Sequence, residues 1–121
     1  MGRRVTDGLA IDVAAPAAQA IVKGELYRID GWTGWAAINI GANDTERNFA
    51  LNMDLGVWSC LVPAGVGTTR GNYVKWTAAT GFQNGPTQLV DDGATRTVNS
   101  VAKVETVRNS GGYARLRLIL V

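Results

Sequence analysis

The side chains that most often carry out chemistry in proteins are scarce in this sequence. Histidine is absent, and the single cysteine, Cys60, lies in the apolar run VWSCLV. Histidine is the commonest general base near neutral pH and the commonest metal ligand, so carboxylates are left as the main candidates for acid–base work. A lone cysteine in an apolar run is more often a small buried hydrophobe than a nucleophile. We therefore interpret Cys60 as a core residue and expect no metal centre and no cofactor.

Two close pairs of acidic residues are the remaining candidates for catalysis. Asp91 and Asp92 lie in the run DDGA, and Asp44 and Glu46 lie in the run GANDTE. Both runs are rich in residues that hydrogen-bond to their own backbone and tolerate left-handed turns. We interpret both pairs as turn residues and predict that the protein is not an enzyme.

Two tryptophans, Trp32 and Trp35, are spaced three apart among glycines in the stretch AIVKGELYRIDGWTGWAAINI. Two indole rings on one surface could stack on sugar rings, and such a site also needs polar groups, for which the nearby candidates are Asp30, Thr33 and Asn39. The alternative is a role in packing or subunit contact, because aromatic side chains carry the largest apolar areas in small β domains. We predict that both indoles are partly exposed in the free protomer.

Short segments separated by glycine predict an all-β domain. The chain has 121 residues with 15 glycines and 3 prolines, and the glycines divide it into pieces too short for ordinary helices. The clearest strand is GYARLRLILV, in which leucines alternate with Arg115 and Arg117. It follows VNSVAKVETV and the turn residues RNSGG, so these two strands are predicted to pair antiparallel. Trp58 and Trp76 lie in alternating apolar strands and are predicted to be core residues.

About seven short strands in one small domain predict a β-barrel or a two-sheet β-sandwich, because a single open sheet would leave one apolar face in water. Both architectures remain open at this point. We divide the chain into a flexible N-terminal arm, residues 1–11, and a β-rich domain, residues 12–121. A domain of this size does not readily shelter every apolar loop residue, so part of that surface is predicted to contact another molecule.

Charge and hydropathy argue against two classes of partner. Twelve basic and ten acidic residues give a net charge of +2 without a block of five like charges, so direct nucleic-acid binding is not expected. No run approaches the roughly 18 consecutive apolar residues of a membrane helix. The N-terminus MGRRVTDGLAIDV lacks the apolar region of a signal peptide. We expect a soluble protein that is made in the cytoplasm and has no membrane partner.

Several short motifs follow one another in a distinctive order. The alanine-rich turn APAAQA leads to the step KGEL, residues 23–26, and then to the hairpin GWTGWA, residues 31–36. A second hairpin contains PAG, residues 63–65, and GNYVKW, residues 71–76, and the last strand contains ARLRL, residues 114–118. From about residue 12 to the last residue, this order resembles the small tailed-phage head proteins known as capsid decoration, cement or capsid fiber proteins.

The resemblance implies a non-enzymatic structural protein of the virion. Such a protein binds the major capsid protein on the outer surface of an assembled head, commonly as a homotrimer, and reinforces the shell. The N-terminal arm is then expected to become ordered on the capsid, with its arginines paired to carboxylates. Contacts with the capsid or with a neighbouring subunit are expected from Arg3, Arg4, Trp32, Trp35 and Phe82.

Two other functions remain open on the same residues. One is a carbohydrate-binding β-module that uses Trp32 and Trp35 as its stacking platform. The other is a different phage structural subunit, such as a head-completion, tail-tube or fiber protein, because the same all-β composition suits each of them.

Overall fold

The structure, a computed structural model, describes residues 10–54, 56–77 and 85–119. These residues form nine strands and one short 3-10 helix, Pro86–Gln88, which lies between the sixth and seventh strands. In chain order the strands are β1 (Ala10–Ala14), β2 (Leu26–Ile29), β3 (Trp32–Ala36), β4 (Asn48–Asn52), β5 (Val57–Leu61), β6 (Tyr73–Trp76), β7 (Leu89–Gly93), β8 (Ser100–Thr106) and β9 (Tyr113–Leu118).

The strands form two antiparallel sheets. One sheet has four strands in the order β1-β4-β3-β2, and the other has five in the order β5-β9-β8-β6-β7. The prediction of an all-β domain is confirmed, and the architecture is that of a small β-sandwich, since the described residues close no barrel. The predicted arm, residues 1–11, overlaps β1, because Ala10 and Ile11 pair with β4; residues 1–9 lie outside the described residues.

Alternation of buried and exposed side chains along β9 explains how the five-stranded sheet is oriented. In β9, Ala114, Leu116 and Leu118 are buried, while the alternate residues Tyr113, Arg115 and Arg117 are exposed. Because side chains of a strand alternate between its two faces, this pattern places one face on the core and the other in solvent. β8 and β9 pair antiparallel, as predicted.

A tight turn determines which way the side chains of β2 and β3 point. Ile29 pairs with Trp32, so Asp30 and Gly31 alone connect the two strands, and both have positive φ angles, 52° and 83°. Two consecutive left-handed residues are typical of the hairpin turns that match the twist of antiparallel strands, and aspartate followed by glycine adopts them at low cost. The position of this turn therefore fixes the phase of β3.

Two apolar clusters lie on opposite faces of the four-stranded sheet. The first joins Leu26 and Trp35 to the inner side of the five-stranded sheet, including Cys60, Val74, Trp76, Leu89, Val104 and Leu116. The second covers the other face and includes Val13, Tyr27, Ile29, Phe49 and Leu51, together with the loop residues Ile21 and Ile40. Hydrogen bonds join those two loop residues to each other, so the loops form a lid over the second cluster.

Candidate functional site

Asp91 and Asp92, one of the two candidate acidic pairs, have structural partners. The two residues lie in the last part of β7 and not in a turn, which corrects the sequence-based interpretation. The Asp92 carboxylate accepts hydrogen bonds from the hydroxyl groups of Ser100 and Thr97 and forms an ion pair of 3.3 Å with Lys75. The hydrogen bond from Ser100 is the main reason that the pKa of Asp92 is lowered. This carboxylate therefore fastens β7 to its neighbouring segments.

In the second acidic pair, the predicted turn role is confirmed for Asp44, while Glu46 lies outside the turn. The Asp44 carboxylate accepts a hydrogen bond of 2.6 Å from the backbone N–H of Gly41, and Glu46 is exposed a few residues later. Asp44 thus closes a tight turn by accepting a hydrogen bond from the residue three positions before it. In the described ranges, no group of three or more histidine, cysteine, aspartate or glutamate side chains is placed to hold a metal ion.

A buried carboxylate that the sequence reasoning missed connects the two sheets. Glu25 precedes β2 and is buried, and its Oε2 accepts a hydrogen bond of 2.6 Å from the backbone N–H of Leu61 in β5. Burial raises the pKa of Glu25 and also raises the pKa of the nearby Cys60 thiol to about 12, so the cysteine is an inert core residue. The only sequence signal for Glu25 was a charge immediately before the apolar strand LYRI.

The two tryptophans of the first hairpin point in opposite directions. Trp35 has no exposed surface, and its ring stacks on Trp58 at 5.7 Å between centroids, whereas Trp32 is 48% exposed. Both residues lie in β3 and are three positions apart. Side chains that are an odd number of positions apart in a strand point to opposite faces of the sheet. The prediction that Trp35 is partly exposed is therefore wrong, the prediction for Trp32 is confirmed, and the two rings cannot form one stacking platform.

The other two tryptophans were predicted to be core residues. Trp76 is buried, and its Nε1 donates a hydrogen bond of 3.3 Å to the hydroxyl of Thr33, across the two sheets. Trp58 is partly buried and packs against the same cluster. The prediction is confirmed for Trp76 and only in part for Trp58, because β5 lies at the edge of its sheet.

Three large apolar side chains are exposed together where β5 pairs with β9. Val57 is 37% exposed, Leu61 is 40% exposed and Tyr113, which pairs directly with Leu61, is 43% exposed. A depression of about 270 Å³ at the Leu61 end of β5 is lined mainly by apolar residues, including Leu61, Pro63, Ala64 and Pro86. The sequence analysis expected a contact surface from apolar loop residues and did not predict this one, although the run VWSCLV, which is apolar on both faces, was the available signal.

Cationic side chains border this apolar area. Arg115 pairs in register with Ser59 and Arg117 with Val57, and both arginines are exposed on the same outer face of the sheet. Arg117 forms an ion pair of 3.0 Å with Glu105. We refer to the exposed side chains Val57, Leu61, Tyr113, Arg115 and Arg117 as the β5–β9 patch.

A second depression lies farther across the same sheet. It has a volume of about 330 Å³, and its lining includes Arg70, Lys103, Glu105 and Arg117. The Lys103 ammonium lies 5.0 Å from the centre of the Tyr73 ring, a cation–π contact. The outer face of the five-stranded sheet therefore carries an apolar edge beside a cationic stripe.

The structure describes only two of the five predicted contact residues. Trp32 is exposed and Trp35 is core, while Arg3, Arg4 and Phe82 lie outside the described residues. No protein-family model, curated protein or solved structure matches this chain. Within the part of the chain that the structure describes, no helix is long and apolar enough to cross a membrane.

Proposed function

We propose that this chain is a non-enzymatic structural protein of a phage virion. In this proposal it binds the major capsid protein on the outer surface of an assembled head and stabilises the shell. The order of short motifs along the sequence supports the resemblance to capsid decoration proteins. The β5–β9 patch is the structural observation that supports binding to another protein. The patch offers a surface for a macromolecule at the edge of a rigid sheet.

The composition of the β5–β9 patch favours a protein partner over a small ligand. Interfaces between proteins are enriched in aromatic residues and arginine, with an apolar centre and a polar rim. The patch contains these residue types, with Leu61 and Tyr113 at one end of the paired strands and Arg115 next to them. The two adjacent depressions, about 270 and 330 Å³, are at or below the lower end of the roughly 300–1,000 Å³ typical of small-molecule sites.

A homotrimer is part of the same proposal. Trp32 lies on the face of β3 opposite to Trp35, and Trp35 faces the five-stranded sheet, so Trp32 and the β5–β9 patch are on different sides of the sandwich. A head-to-tail ring uses two different surfaces of each subunit and leaves a further surface for another partner. We assign Trp32 to the contact between subunits and the β5–β9 patch to the capsid.

Co-sedimentation with purified heads of the source phage tests the function directly. We expect the wild-type protein to pellet with expanded heads and to raise their resistance to heat or chelation. The double variant Val57→Ser, Leu61→Ser should bind heads at least about tenfold more weakly, because burial of two apolar side chains is lost. Val98→Ser is the matched control, since Val98 is 88% exposed in the turn before β8. Heads that bind no wild-type protein would contradict the proposal.

Exposed Trp32 also favours a second candidate function, which is carbohydrate binding through a single stacked indole. A glycan array with the wild-type protein and the Trp32→Ala variant tests it. Selective binding of one glycan class that Trp32→Ala abolishes, together with no binding to heads, would replace the first proposal with the second.

A further inference from the structure

At Val57 and Ser59, the outer edge of β5 presents backbone groups that no described residue pairs with. β5 is the first strand of its sheet, and β9 is its neighbour. The N–H of Leu61 points away from β9, because it donates to the Glu25 carboxylate. Successive backbone groups of a strand point alternately to its two sides, so the N–H and C=O groups of Val57 and Ser59 point to the same outer edge as Leu61.

We propose that this edge of β5 accepts an extended acidic segment of the major capsid protein, which adds a sixth strand to the five-stranded sheet. The inference rests on the proposed function, since it names the part of the capsid partner that the patch binds. Strand addition obtains its affinity from main-chain hydrogen bonds and its specificity from alternate side chains. The outward side chains of β5 and β9 therefore indicate what the added strand must carry.

The arginines of β9 explain why the added strand should be acidic. Arg115 pairs with Ser59, which is the small residue between that arginine and the open edge. Neighbouring strands are about 4.8 Å apart, so a strand added to β5 lies about 10 Å from β9, a gap that arginine and glutamate side chains span together. Ser59 leaves this path unobstructed. A glutamate opposite Ser59 can therefore reach the Arg115 guanidinium.

The other end of the edge requires an apolar residue. Leu61 and Tyr113 are exposed there, next to the apolar depression that includes Pro63 and Pro86. The buried Glu25 carboxylate also occupies the backbone N–H of Leu61, and a second carboxylate close to it would be repelled. The segment that fits has an acidic side chain opposite Ser59 and an apolar side chain opposite Leu61.

Charge also disfavours other occupants that the chain itself could supply. A second copy that paired its β5 with this β5 would place no carboxylate opposite Ser59, because β5 contains no acidic residue. The N-terminal segment carries Arg3 and Arg4, which have the same sign of charge as Arg115. An arginine of that segment opposite Ser59 would be repelled by Arg115. An acidic segment from another protein is therefore the occupant that this edge favours.

Two synthetic peptides test the inference on the intact protein. The first has nine residues with glutamate at a central position and valine two positions away from it, and the second has lysine in place of the glutamate. We expect the glutamate peptide to bind at least about tenfold more tightly at low salt by fluorescence anisotropy. Its binding should also slow amide hydrogen exchange at Val57 and Ser59.

Two variants assign the binding to the edge of β5. Arg115→Glu should reverse the preference between the peptides, whereas Arg96→Glu, at an exposed turn residue, should not change it. Ser59→Pro should abolish binding of both peptides, because proline removes an outward N–H yet is tolerated on edge strands. Retention of the wild-type melting temperature shows that this variant is folded, and Arg115→Glu tests the site independently.

Equal affinity for the two peptides, or no binding of either, would overturn the inference. Unchanged hydrogen exchange at Ser59 with the glutamate peptide bound would also overturn it. Self-association that Ser59→Pro abolishes would give the edge to a second copy. Head binding that survives in Ser59→Pro would sink this inference and leave the proposed function intact. Peptide binding without head binding would contradict the proposed function and the capsid protein as the partner, and would leave only the preference of the β5 edge for an acidic strand.

Discussion

Glu25 is a buried carboxylate whose ionisation works against folding. Burial raises its pKa above the ordinary value of 4.5, so its contribution to stability falls as the pH rises from 4.5 through the folded-state pKa. We predict that Glu25→Gln is at least as stable as the wild type at pH 7, because the amide oxygen still accepts the Leu61 N–H without a charge to bury. Glu25→Ala leaves that N–H unpaired and should lose about 1–3 kcal/mol. Urea unfolding at pH 4 and pH 7 measures both; a Glu25→Gln variant that is as unstable as Glu25→Ala would contradict the prediction.

Asp92 should show the opposite dependence on pH. Its pKa is lowered from 3.8, mainly by the hydrogen bond from Ser100, so its stabilising effect is present above pH 3.8 and is lost as the pH falls through the folded-state pKa. We predict that Asp92→Asn loses about 1–3 kcal/mol at pH 7. The loss should shrink in acid, where the wild-type carboxylate is also neutral. Asp12→Asn, at an exposed position of β1, serves as the control and should stay within about 0.5 kcal/mol of wild type.

At the scale of elements, β3 directs two identical side chains, Trp32 and Trp35, to opposite faces of the sheet. Trp35→Ala should destabilise the domain by about 3–5 kcal/mol, because it removes a fully buried indole that stacks on Trp58. Trp32→Ala should cost less than about 1 kcal/mol, because half of that ring already contacts water. Thermal unfolding of the two variants under identical conditions makes the comparison. Equal losses of stability would mean that Trp32 is also a core residue.

At the scale of the whole molecule, the sandwich presents apolar surface on two sides, and we predict that this surface supports a homotrimer. Light scattering at micromolar concentration should give three times the protomer mass. Trp32→Ser should shift the mass toward the monomer, while Val57→Ser with Leu61→Ser should leave the trimer intact and weaken only head binding. A wild-type protein that is monomeric and also binds heads as a monomer would exclude the trimer and leave the capsid contact standing.

The sequence by itself determined the local features of this protein. Alternating residues predicted β9, and the turn residues before it predicted its antiparallel pairing with β8, because strand period and tight turns depend on neighbouring residues. The same period also separates Trp32 from Trp35 once Asp30 and Gly31 are recognised as the whole turn. The prediction that Trp35 is partly exposed was wrong because it placed both indoles in the turn and not in the strand.

Only the tertiary structure decided which strands share a sheet and which strand edge has no strand paired to it among the described residues. The carboxylate of Glu25 and the backbone N–H of Leu61 are 36 residues apart, and no local pattern connects them. The choice of a sandwich also depends on β5 pairing with β9 across β6, β7 and β8, while β4 stays in the other sheet. Such pairings depend on the packing of distant segments. The sequence therefore predicted that some apolar surface contacts a partner, but only the pairing of β5 with β9 showed that apolar side chains of β5 are exposed at the edge of a sheet.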